Sequence, residues 1–375
     1  MKVGIVVPYS WSYRGGVVEH AEAQARALRG LGIETQTLIG LDPPGPLSKL
    51  LHPRSGRAGP PPDNVVALGR SAIVPGNNSL SNLVLGLGSP LRLARALARE
   101  RFDLLHVHEP LAPTLGPAAL ALFDGPMVAT FHAAGVSAWR PTAFRLWGFL
   151  FDRIDVRLAV SEPALETSRD YSPGTYELFP NGVELPETAD PGSRTGHVVF
   201  VGRHERRKGL PVLLRAWPEI RRRTGLRLRL IGCDPPVVRL LLARLRVPED
   251  GIDLLGVVDD DRLTAELASA KLLVAPSLGN ESFGMVLTRA FACATPVVAS
   301  DIDGYRAVVE PGTGVLVPPG DVAVLAEAVT GIVADEPERA RLGAAARALA
   351  RDRYAWLRLA AELAARYERL LGTAA

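Results

Sequence analysis

Two cationic side chains stand on one short loop in the second half of the sequence. The loop reads GRHERRKG and follows an apolar run, so Arg203 and Lys208 come just after a predicted strand. Two cations at a strand end favour an anionic ligand, a diphosphate in particular, because they stabilise the charge that builds on phosphate oxygens as a bond to them breaks. The alternative interpretation is a solvated, arginine-rich turn.

A carboxylate follows a later strand in a comparable position. The segment PSLGNESFGMVL comes after the apolar run Leu272 to Ala275, and it predicts that Glu281 and Ser282 open a helix. The unpaired N–H groups at that helix start, from Phe283 to Val286, suit a phosphate oxygen. Phosphate repels a carboxylate, so we expect Glu281 to accept hydrogen bonds from hydroxyls of a neighbouring sugar. An ordinary N-cap residue is the alternative.

Histidines and glycines mark strand ends in the first half of the chain. The runs DLLHVH and MVATFH end at His108 and His132, and Glu109 follows the first of them. Gly15 and Gly16 lie between the first strand and the first helix, where glycines let backbone approach a ligand phosphate. Parallel sheets bind ligands beyond the carboxyl ends of their strands, so we expect these groups to face one crevice. A structural role for the histidines is the alternative.

Strands and helices alternate along the whole chain, which predicts an α/β protein with two doubly wound halves. A length of 375 residues also exceeds the usual size of a single core. The runs typical of strands are 3–8, 34–41, 65–68, 72–75, 103–108, 127–132, 156–161, 177–180, 197–201, 227–231, 252–255, 272–275, 296–299 and 315–317. We expect a first domain at 1–183, a linker at 184–196, a second domain at 197–353, and a final segment, 354–375, whose helix packs back on the first domain.

Charge is distributed unevenly between the two basic residue types. The net charge is +3, and only four of the 43 basic residues are lysines. A diffuse arginine excess fits a phosphate ligand or an anionic membrane surface, and no motif indicates nucleic-acid binding. Arg92, Arg95 and Arg99 share one face of a predicted helix beside the apolar stretch 80–91, which could lie on such a membrane. A solvated helix face is the alternative.

Targeting signals and membrane spans are not indicated by the sequence. Apolar runs fall far short of the roughly 20 residues that span a bilayer, and Met1 and Lys2 lead directly into a strand. We therefore expect a soluble, cytoplasmic protein. A peripheral position on the inner face of the cell membrane is expected only if the arginine face of the predicted helix binds anionic lipid.

Taken together, these motifs resemble the large retaining glycosyltransferase family of GT-B fold, the glycosyl transferases group 1. The motifs PYS…GGV…H, HVHEP, VATFH, GR…KG and NESFGMVL cover nearly the whole chain, and they look especially like those of the bacterial phosphatidyl-myo-inositol mannosyltransferases. The resemblance implies two Rossmann-like domains facing a central cleft. It also implies a nucleotide-diphospho-sugar bound mainly by the C-terminal domain and an acceptor bound mainly by the N-terminal one.

The resemblance further implies roles for individual residues. Arg203 and Lys208 would hold the diphosphate, Glu281 would bind sugar hydroxyls, and His132 would orient the sugar near its 6-position. Asp260 would recognise guanine. The other donor-binding positions would be Gly15, Gly16, Phe283, Gly284, Met285, Val286 and Arg289, and the acceptor contacts would be Tyr9, Asn77 and His132. No metal or other cofactor is expected, because the two cations neutralise the charge that a metal would otherwise neutralise.

Two positions depart from the family pattern. Arg289 stands where a second glutamate would hold the nucleotide ribose, and a guanidinium cannot accept hydrogen bonds. The segment Ala133 to Ser137 lacks the polar residues that would hold an inositol phosphate.

The predicted function is transfer of a hexose, first of all mannose from GDP-mannose, to a lipid-linked or inositol-type acceptor. One alternative is a UDP-sugar-dependent enzyme with a soluble or polysaccharide acceptor. Another is a weakly active or non-catalytic relative that binds nucleotide sugars.

Overall fold

Two compact α/β units make up the chain. The computed structural model describes residues 1–13, 15–43, 60–76, 79–135, 148–187, 194 and 196–373. One unit is Met1–Gly182 with Trp356–Ala375, and the other is Val183–Ala355. Residues 184–196, predicted to be a linker, thus fall within the second unit. None of the helices in the described ranges combines the length and apolar character needed to cross a bilayer.

A parallel sheet with strand order β3-β2-β1-β6-β7-β8-β9 forms the centre of the first unit. Its strands, together with the antiparallel hairpin β4–β5, are β1 (Lys2–Ser10), β2 (Glu34–Gly40), β3 (Val65–Ala67), β4 (Ser71–Gly76), β5 (Ser79–Val84), β6 (Leu104–His108), β7 (Met127–Phe131), β8 (Val156–Ala159) and β9 (Tyr176–Leu178). The helices are α1 (Gly16–Gly30), α2 (Ser89–Glu100), α3 (Leu115–Leu122), α4 (Gly148–Phe151) and α5 (Glu162–Arg169).

Burial on both faces of this sheet explains the continuous apolar runs in its strands. β6 and β7 are buried at every position, as expected for central parallel strands covered by helices. The helix Trp356–Thr373, the last element of the chain, packs against α1 within this unit. Its Trp356, Leu363 and Tyr367 join the core beneath β1.

The second unit repeats the same plan with a parallel sheet of order β12-β11-β10-β13-β14-β15. The strands are β10 (His197–Val201), β11 (Arg227–Ile231), β12 (Ile252–Gly256), β13 (Leu272–Ala275), β14 (Val297–Ser300) and β15 (Val315–Val317). The helices are α6 (Leu210–Thr224), α7 (Pro235–Leu245), α8 (Asp260–Ser269), α9 (Met285–Ala292), α10 (Asp303–Arg306), α11 (Val322–Ala334) and α12 (Glu336–Leu349), so the helix Trp356–Thr373 is α13. A short π-helical turn, Ala350–Tyr354, joins α12 to α13.

Strand order reverses at one point in each sheet. β1 lies between β2 and β6, and β10 lies between β11 and β13. In open parallel sheets, ligands bind beyond the carboxyl ends of the strands that flank such a switch point. The ends of β1 and β6, and those of β10 and β13, are therefore where sites are expected.

Three element boundaries differ from the sequence-based expectation. The helix predicted to open at Glu281 begins only at Met285, because Gly284 adopts a left-handed conformation (φ 75°) as its N-cap. α2 begins at Ser89 rather than at Arg92, with Pro90 in its first turn, a position that proline tolerates well. The stretch 80–91 includes most of β5, whose pairing with β4 was not anticipated. The Pro/Gly-rich segment 42–63, whose composition is typical of a surface loop, lies largely outside the described residues, which resume at residue 60.

Candidate active site

The cationic loop of the second unit is shaped by close backbone packing. After β10 the chain makes one 3-10 turn, Arg206–Lys208, and then reaches Gly209 with φ 67°. A Cβ atom on Gly209 would lie 1.7 Å from the carbonyl oxygen of Pro276, just beyond the end of β13. Only glycine allows this approach, and the approach brings Lys208 next to the loop that follows β13.

An ion network connects the two loops. The Oε1 atom of Glu281 lies 2.7 Å from Lys208 Nζ and accepts a hydrogen bond of 2.7 Å from Arg207. Arg207 also pairs with Glu205 at 2.7 Å, and Glu205 pairs with Arg203 at 2.7 Å. The structure thus brings Lys208 and Glu281 into direct contact and connects Arg203 to them through two further residues.

Three cations and two carboxylates give this network a net charge of +1. Arg203 is the exposed member, with 55% of its side chain accessible, whereas the Glu281 side chain keeps only 9%. Burial opposes the charge on Arg207, but Glu281 and Glu205 outweigh it and raise the pKa of the guanidinium above its ordinary value. Arg207 therefore keeps its charge between the two carboxylates, and the network has an excess of positive charge, as a diphosphate site requires.

A buried tyrosine and a serine hold the Glu281 side chain in place. Tyr305 Oη and Ser277 Oγ lie 2.8 Å apart, and Ser277 donates to Glu281 Oε1 at 3.3 Å. A Cβ atom on Gly304 would lie 2.0 Å from the Glu281 carbonyl oxygen, so the backbone packs tightly there too. Among the described residues, Oε2 of Glu281 accepts no hydrogen bond, which leaves this atom for a ligand hydroxyl.

The start of α9 provides N–H groups next to this carboxylate. Because the helix starts at Met285, its unpaired first-turn donors are those of Met285 and Val286, while Leu287 already bonds to Gly284. Phe283 is buried in the loop before the helix, so its side chain belongs to the core. The phosphate contact at residues 283–286 stays a prediction, and of these residues only Met285 and Val286 lie within the helix.

Asp260 and Arg289, both expected to contact the nucleotide, contact each other. Asp260 is the first residue of α8, and its Oδ1 lies 3.1 Å from Arg289 NH1. A carboxylate therefore lies beside the position where the family pattern has its second glutamate, although it comes from another helix.

In the first unit, three histidine rings come together at the switch point of the sheet. His108 ends β6, His132 directly follows β7, and the His108 Nδ1 and His132 Nε2 atoms lie 2.9 Å apart. His20 of α1 packs its ring against both, with centroid distances of 5.5 Å and 5.1 Å. All three are buried.

A fourth histidine holds this cluster in position. His106 stacks on His108 with a centroid distance of 4.6 Å, and its two nitrogens lie 2.5 Å from Tyr367 Oη and 2.6 Å from Thr130 Oγ1. Burial lowers the pKa of His20 and of His106 to about 3, and it lowers the pKa of His108 and His132 well below the ordinary value. The cluster is therefore neutral at pH 7.

Polar contacts in the cluster are incomplete. Gln24 lies close enough to affect the pKa of His20, yet neither ring nitrogen of His20 has a hydrogen bond of good geometry, and nor has His108 Nε2. Glu109 is buried, and its Oε2 accepts the backbone N–H groups of His132 (3.0 Å) and Ala133 (2.9 Å). Glu109 thus positions the end of β7 through Oε2, and its role towards a ligand stays a prediction.

Three other predicted site residues, Gly15, Tyr9 and Asn77, lie in the first half of the chain. Gly15 is the N-cap of α1 and has open space where a Cβ would stand, which is compatible with close approach of a ligand. Tyr9 lies near the end of β1, where burial and then Glu109 raise the pKa of its phenol. Asn77 lies outside the described residues, as do residues 136 and 137.

Several residues of the candidate active site were not predicted from the sequence. Arg207 and Glu205 belong to the charged run RHERRK, and the sequence does not indicate which side chains of this run point inward. His20 was part of the GGV…H motif, but the motif does not indicate that α1 turns this side chain towards His132. Tyr305 gave no signal, because its contact with Ser277 depends on tertiary packing.

Comparison with known proteins agrees with this architecture. Residues 14–187 match the family described as Glycosyltransferase Family 4, and residues 195–335 match Glycosyl transferases group 1. The phosphatidyl-myo-inositol mannosyltransferase of Mycolicibacterium smegmatis is 36% identical, covering 99% of this chain and 95% of that protein. The Mycobacterium leprae protein of the same name is 34% identical, covering 98% and 96%.

Solved structures resemble the fold over its full length. Sucrose-phosphate synthase from Thermosynechococcus elongatus has a TM-score of 0.76 at 22% identity, covering 99% of both chains. Anabaena HepE, solved with UDP and glucose, has a TM-score of 0.72 at 19% identity, covering 98% of this chain and 99% of its own. The fold is thus of the GT-B class, two Rossmann-like units each with a parallel sheet. The chain belongs to the glycosyl transferases group 1 family, as its motifs predicted.

Proposed function

We propose that this glycosyltransferase moves mannose from GDP-mannose to an inositol-type lipid acceptor at a membrane surface, with retention of anomeric configuration and without a metal. The observation that carries the proposal is the Arg203–Glu205–Arg207–Glu281–Lys208 network at the switch point of the second sheet. The similarity of the whole chain to phosphatidyl-myo-inositol mannosyltransferases supports the choice of donor and acceptor.

The chemistry follows from charge at this network. As the glycosidic bond breaks, negative charge grows on the diphosphate, and Arg203 and Lys208 stabilise it in the position that a divalent ion occupies in metal-dependent enzymes. The N–H groups of Met285 and Val286 add donors at the start of α9. Same-face attack, in which the departing phosphate takes the proton of the acceptor hydroxyl, retains the configuration of the sugar.

Carboxylate oxygens then hold the sugar and the nucleoside. Oε2 of Glu281 accepts from sugar hydroxyls, while Oε1 remains on Lys208 and Arg207. Asp260 recognises guanine, and its contact with Arg289 orients the carboxylate for that task. A UDP-sugar donor is the competing possibility, because Anabaena HepE, a protein of similar fold, was solved with UDP and glucose.

The acceptor side of the proposal rests on α2 and the loop before it. Leu87 is 97% exposed and Leu91 is 55% exposed, and Arg92 and Arg95 are exposed on the same helix. Apolar side chains that protrude beside cations are typical of surfaces that lie on anionic membranes. In the proposed function this face docks a cytoplasmic protein on the inner face of the membrane.

A cavity of about 410 Å³ adjoins that helix and suits a phosphodiester head group. Its lining includes Gly69, Arg70, Ser89 and Arg92. Ser89 is fully buried, and its hydroxyl has no hydrogen-bond partner among the described residues. Two guanidinium groups, one hydroxyl and the start of α2 would together neutralise a single phosphate.

A transfer screen tests the donor and the network together. Purified protein is incubated with GDP-mannose, GDP-glucose, UDP-glucose or UDP-N-acetylglucosamine, and with phosphatidylinositol vesicles as acceptor. We expect turnover with GDP-mannose, and a loss of at least about 100-fold in Glu281→Gln and Lys208→Gln without loss of folding. Turnover with UDP-sugars only would overturn the choice of donor, and full activity of both variants would overturn the site.

Flotation with liposomes tests the membrane surface. The wild-type protein should float with vesicles that contain phosphatidylinositol and not with neutral vesicles. Arg92→Glu with Arg95→Glu should abolish flotation, whereas the exposed Arg244→Glu in the second unit should leave it unchanged. Equal binding of all proteins, or of none, would contradict the proposed docking face.

A further inference from the structure

We propose that His20, His108 and His132 form a binding site for a divalent transition-metal ion, with zinc as the best candidate. Each residue offers one ring nitrogen, and these three atoms all lie within 4.8 Å of one another. No role in the proposed sugar transfer requires three histidines, and the expectation that transfer needs no metal leaves this site unassigned.

The chemistry of the donor set selects the ion. Imidazole nitrogens suit zinc, copper, nickel and cobalt, whereas magnesium and calcium prefer oxygen ligands. Tetrahedral zinc binds imidazole nitrogen at about 2.0–2.1 Å, which places neighbouring nitrogens about 3.3 Å apart. His108 Nδ1 and His132 Nε2, at 2.9 Å, are already near this spacing, and the ligand nitrogen of His20 lies within 4.8 Å of both.

Unused nitrogens provide the second observation. His20 is buried with 1% of its surface exposed, and neither of its ring nitrogens makes a hydrogen bond of good geometry to any residue that the structure describes, although Gln24 lies nearby. Buried polar atoms are normally satisfied, so lone pairs of this kind indicate a ligand.

Surrounding residues hold the rings as a metal site requires. His106 is not a ligand, since Tyr367 and Thr130 occupy both of its nitrogens, but it stacks on His108 and fixes the plane of that ring. Burial keeps the imidazoles neutral, which is the form that binds metal. Three protein ligands leave a fourth position open, and His132, with 8% of its surface exposed, connects the cluster to solvent.

Metal titration of the tag-free, full-length protein tests the site directly. We expect one equivalent of Zn²⁺ to bind, measured by calorimetry, and Co²⁺ to give the intense visible absorption of a tetrahedral, nitrogen-ligated ion. His20→Asn and His108→Asn should each weaken binding at least about tenfold. His204→Asn, an exposed histidine of the second unit, is the matched control and should bind as the wild type does.

Two results would overturn the proposal. One is a wild-type titration without a saturable one-to-one component or without the tetrahedral Co²⁺ spectrum, and this result does not depend on whether any variant folds. The other is unchanged affinity in folded His20→Asn.

Activity is a separate readout that rests on the proposed function. An ion on His132 removes that ring from the sugar, so Zn²⁺ should inhibit transfer in the wild type and much less in His20→Asn. Stoichiometric binding without inhibition would refute the role of His132 in transfer and leave the metal site standing.

Discussion

Replacing Arg207 by methionine removes the residue that joins the two carboxylates of the ion network. Arg207 lies 2.7 Å from both Glu281 and Glu205, and only 15% of its side chain is exposed. A hydrogen bond to a charged group contributes about 1.5–3 kcal/mol, so two such contacts give roughly 3–6 kcal/mol. Lys208 still pairs with Glu281 and Arg203 with Glu205, which brings the expected loss of unfolding free energy to about 3 kcal/mol.

The same substitution changes the charge offered to a diphosphate. The network falls from a net charge of +1 to zero. At an effective dielectric constant of about 20, two unit charges roughly 6 Å apart interact by about 3 kcal/mol, and solvent and salt screen part of this. We therefore expect GDP and UDP to bind about tenfold more weakly, which corresponds to about 1.4 kcal/mol.

Arg206→Met is the matched control, because Arg206 is the neighbouring arginine and is exposed. Urea denaturation followed by circular dichroism gives the stability of each protein, and calorimetric titration gives nucleotide affinity. If Arg207→Met were as stable as Arg206→Met and bound nucleotide equally well, the network would be an incidental surface feature and the electrostatic argument would fail.

Three further predictions concern backbone packing, the buried histidines and the departure at residue 289. Gly209→Ala should destabilise the protein by at least about 2 kcal/mol in urea titration, because a backbone carbonyl oxygen lies 1.7 Å from the new Cβ, whereas Gly225→Ala, with similar φ and open space, should cost only about 1 kcal/mol. Burial lowers the pKa of His20 and of His106 to about 3 in the folded protein, whereas an unfolded histidine titrates near a pKa of about 6.5. The contribution of these neutral rings to the unfolding free energy is therefore complete above pH 6.5 and is lost as the pH falls towards 3. Between pH 7.5 and 5.5, each of the two residues should remove about 1.4 kcal/mol of unfolding free energy. Arg289→Glu should not improve GDP binding in calorimetry, since it replaces an ion pair by two adjacent carboxylates, and a gain in affinity would contradict this.

Strand positions were largely predictable from the sequence because central parallel strands are apolar on both faces. The end of β6 at His108 and that of β10 at Val201 coincide with the predicted ends. Strand order was not predictable from the sequence. The switch points, which explain why the two loops meet at Glu281, are therefore visible only in the fold. β4 was predicted at 72–75, whereas its partner β5 was missed because the apolar residues of β5 alternate too weakly to distinguish a strand from a loop.

Side-chain direction was the main feature that the sequence did not indicate. Arg206 and Arg207 are adjacent and identical in type, yet one faces solvent and the other is held between two carboxylates. The 3-10 turn decides between them, and its position depends on the contact of Gly209 with Pro276. Similarly, His20 became part of the histidine cluster because α1 packs across the sheet, which no local pattern shows.

In the proposed function, Lys208 connects the two roles of this site, which are binding of the diphosphate and binding of the sugar. Its ammonium lies on Glu281 Oε1, the carboxylate that is to hold the sugar. A phosphate that binds Lys208 draws positive charge away from the Glu281 carboxylate, so the Oε2 atom of that carboxylate becomes a stronger acceptor for a sugar hydroxyl. Binding of the diphosphate therefore prepares the sugar contact, so a nucleotide sugar should gain more affinity over its nucleoside diphosphate in the wild type than in Lys208→Gln, where the carboxylate has no ammonium to lose to the phosphate.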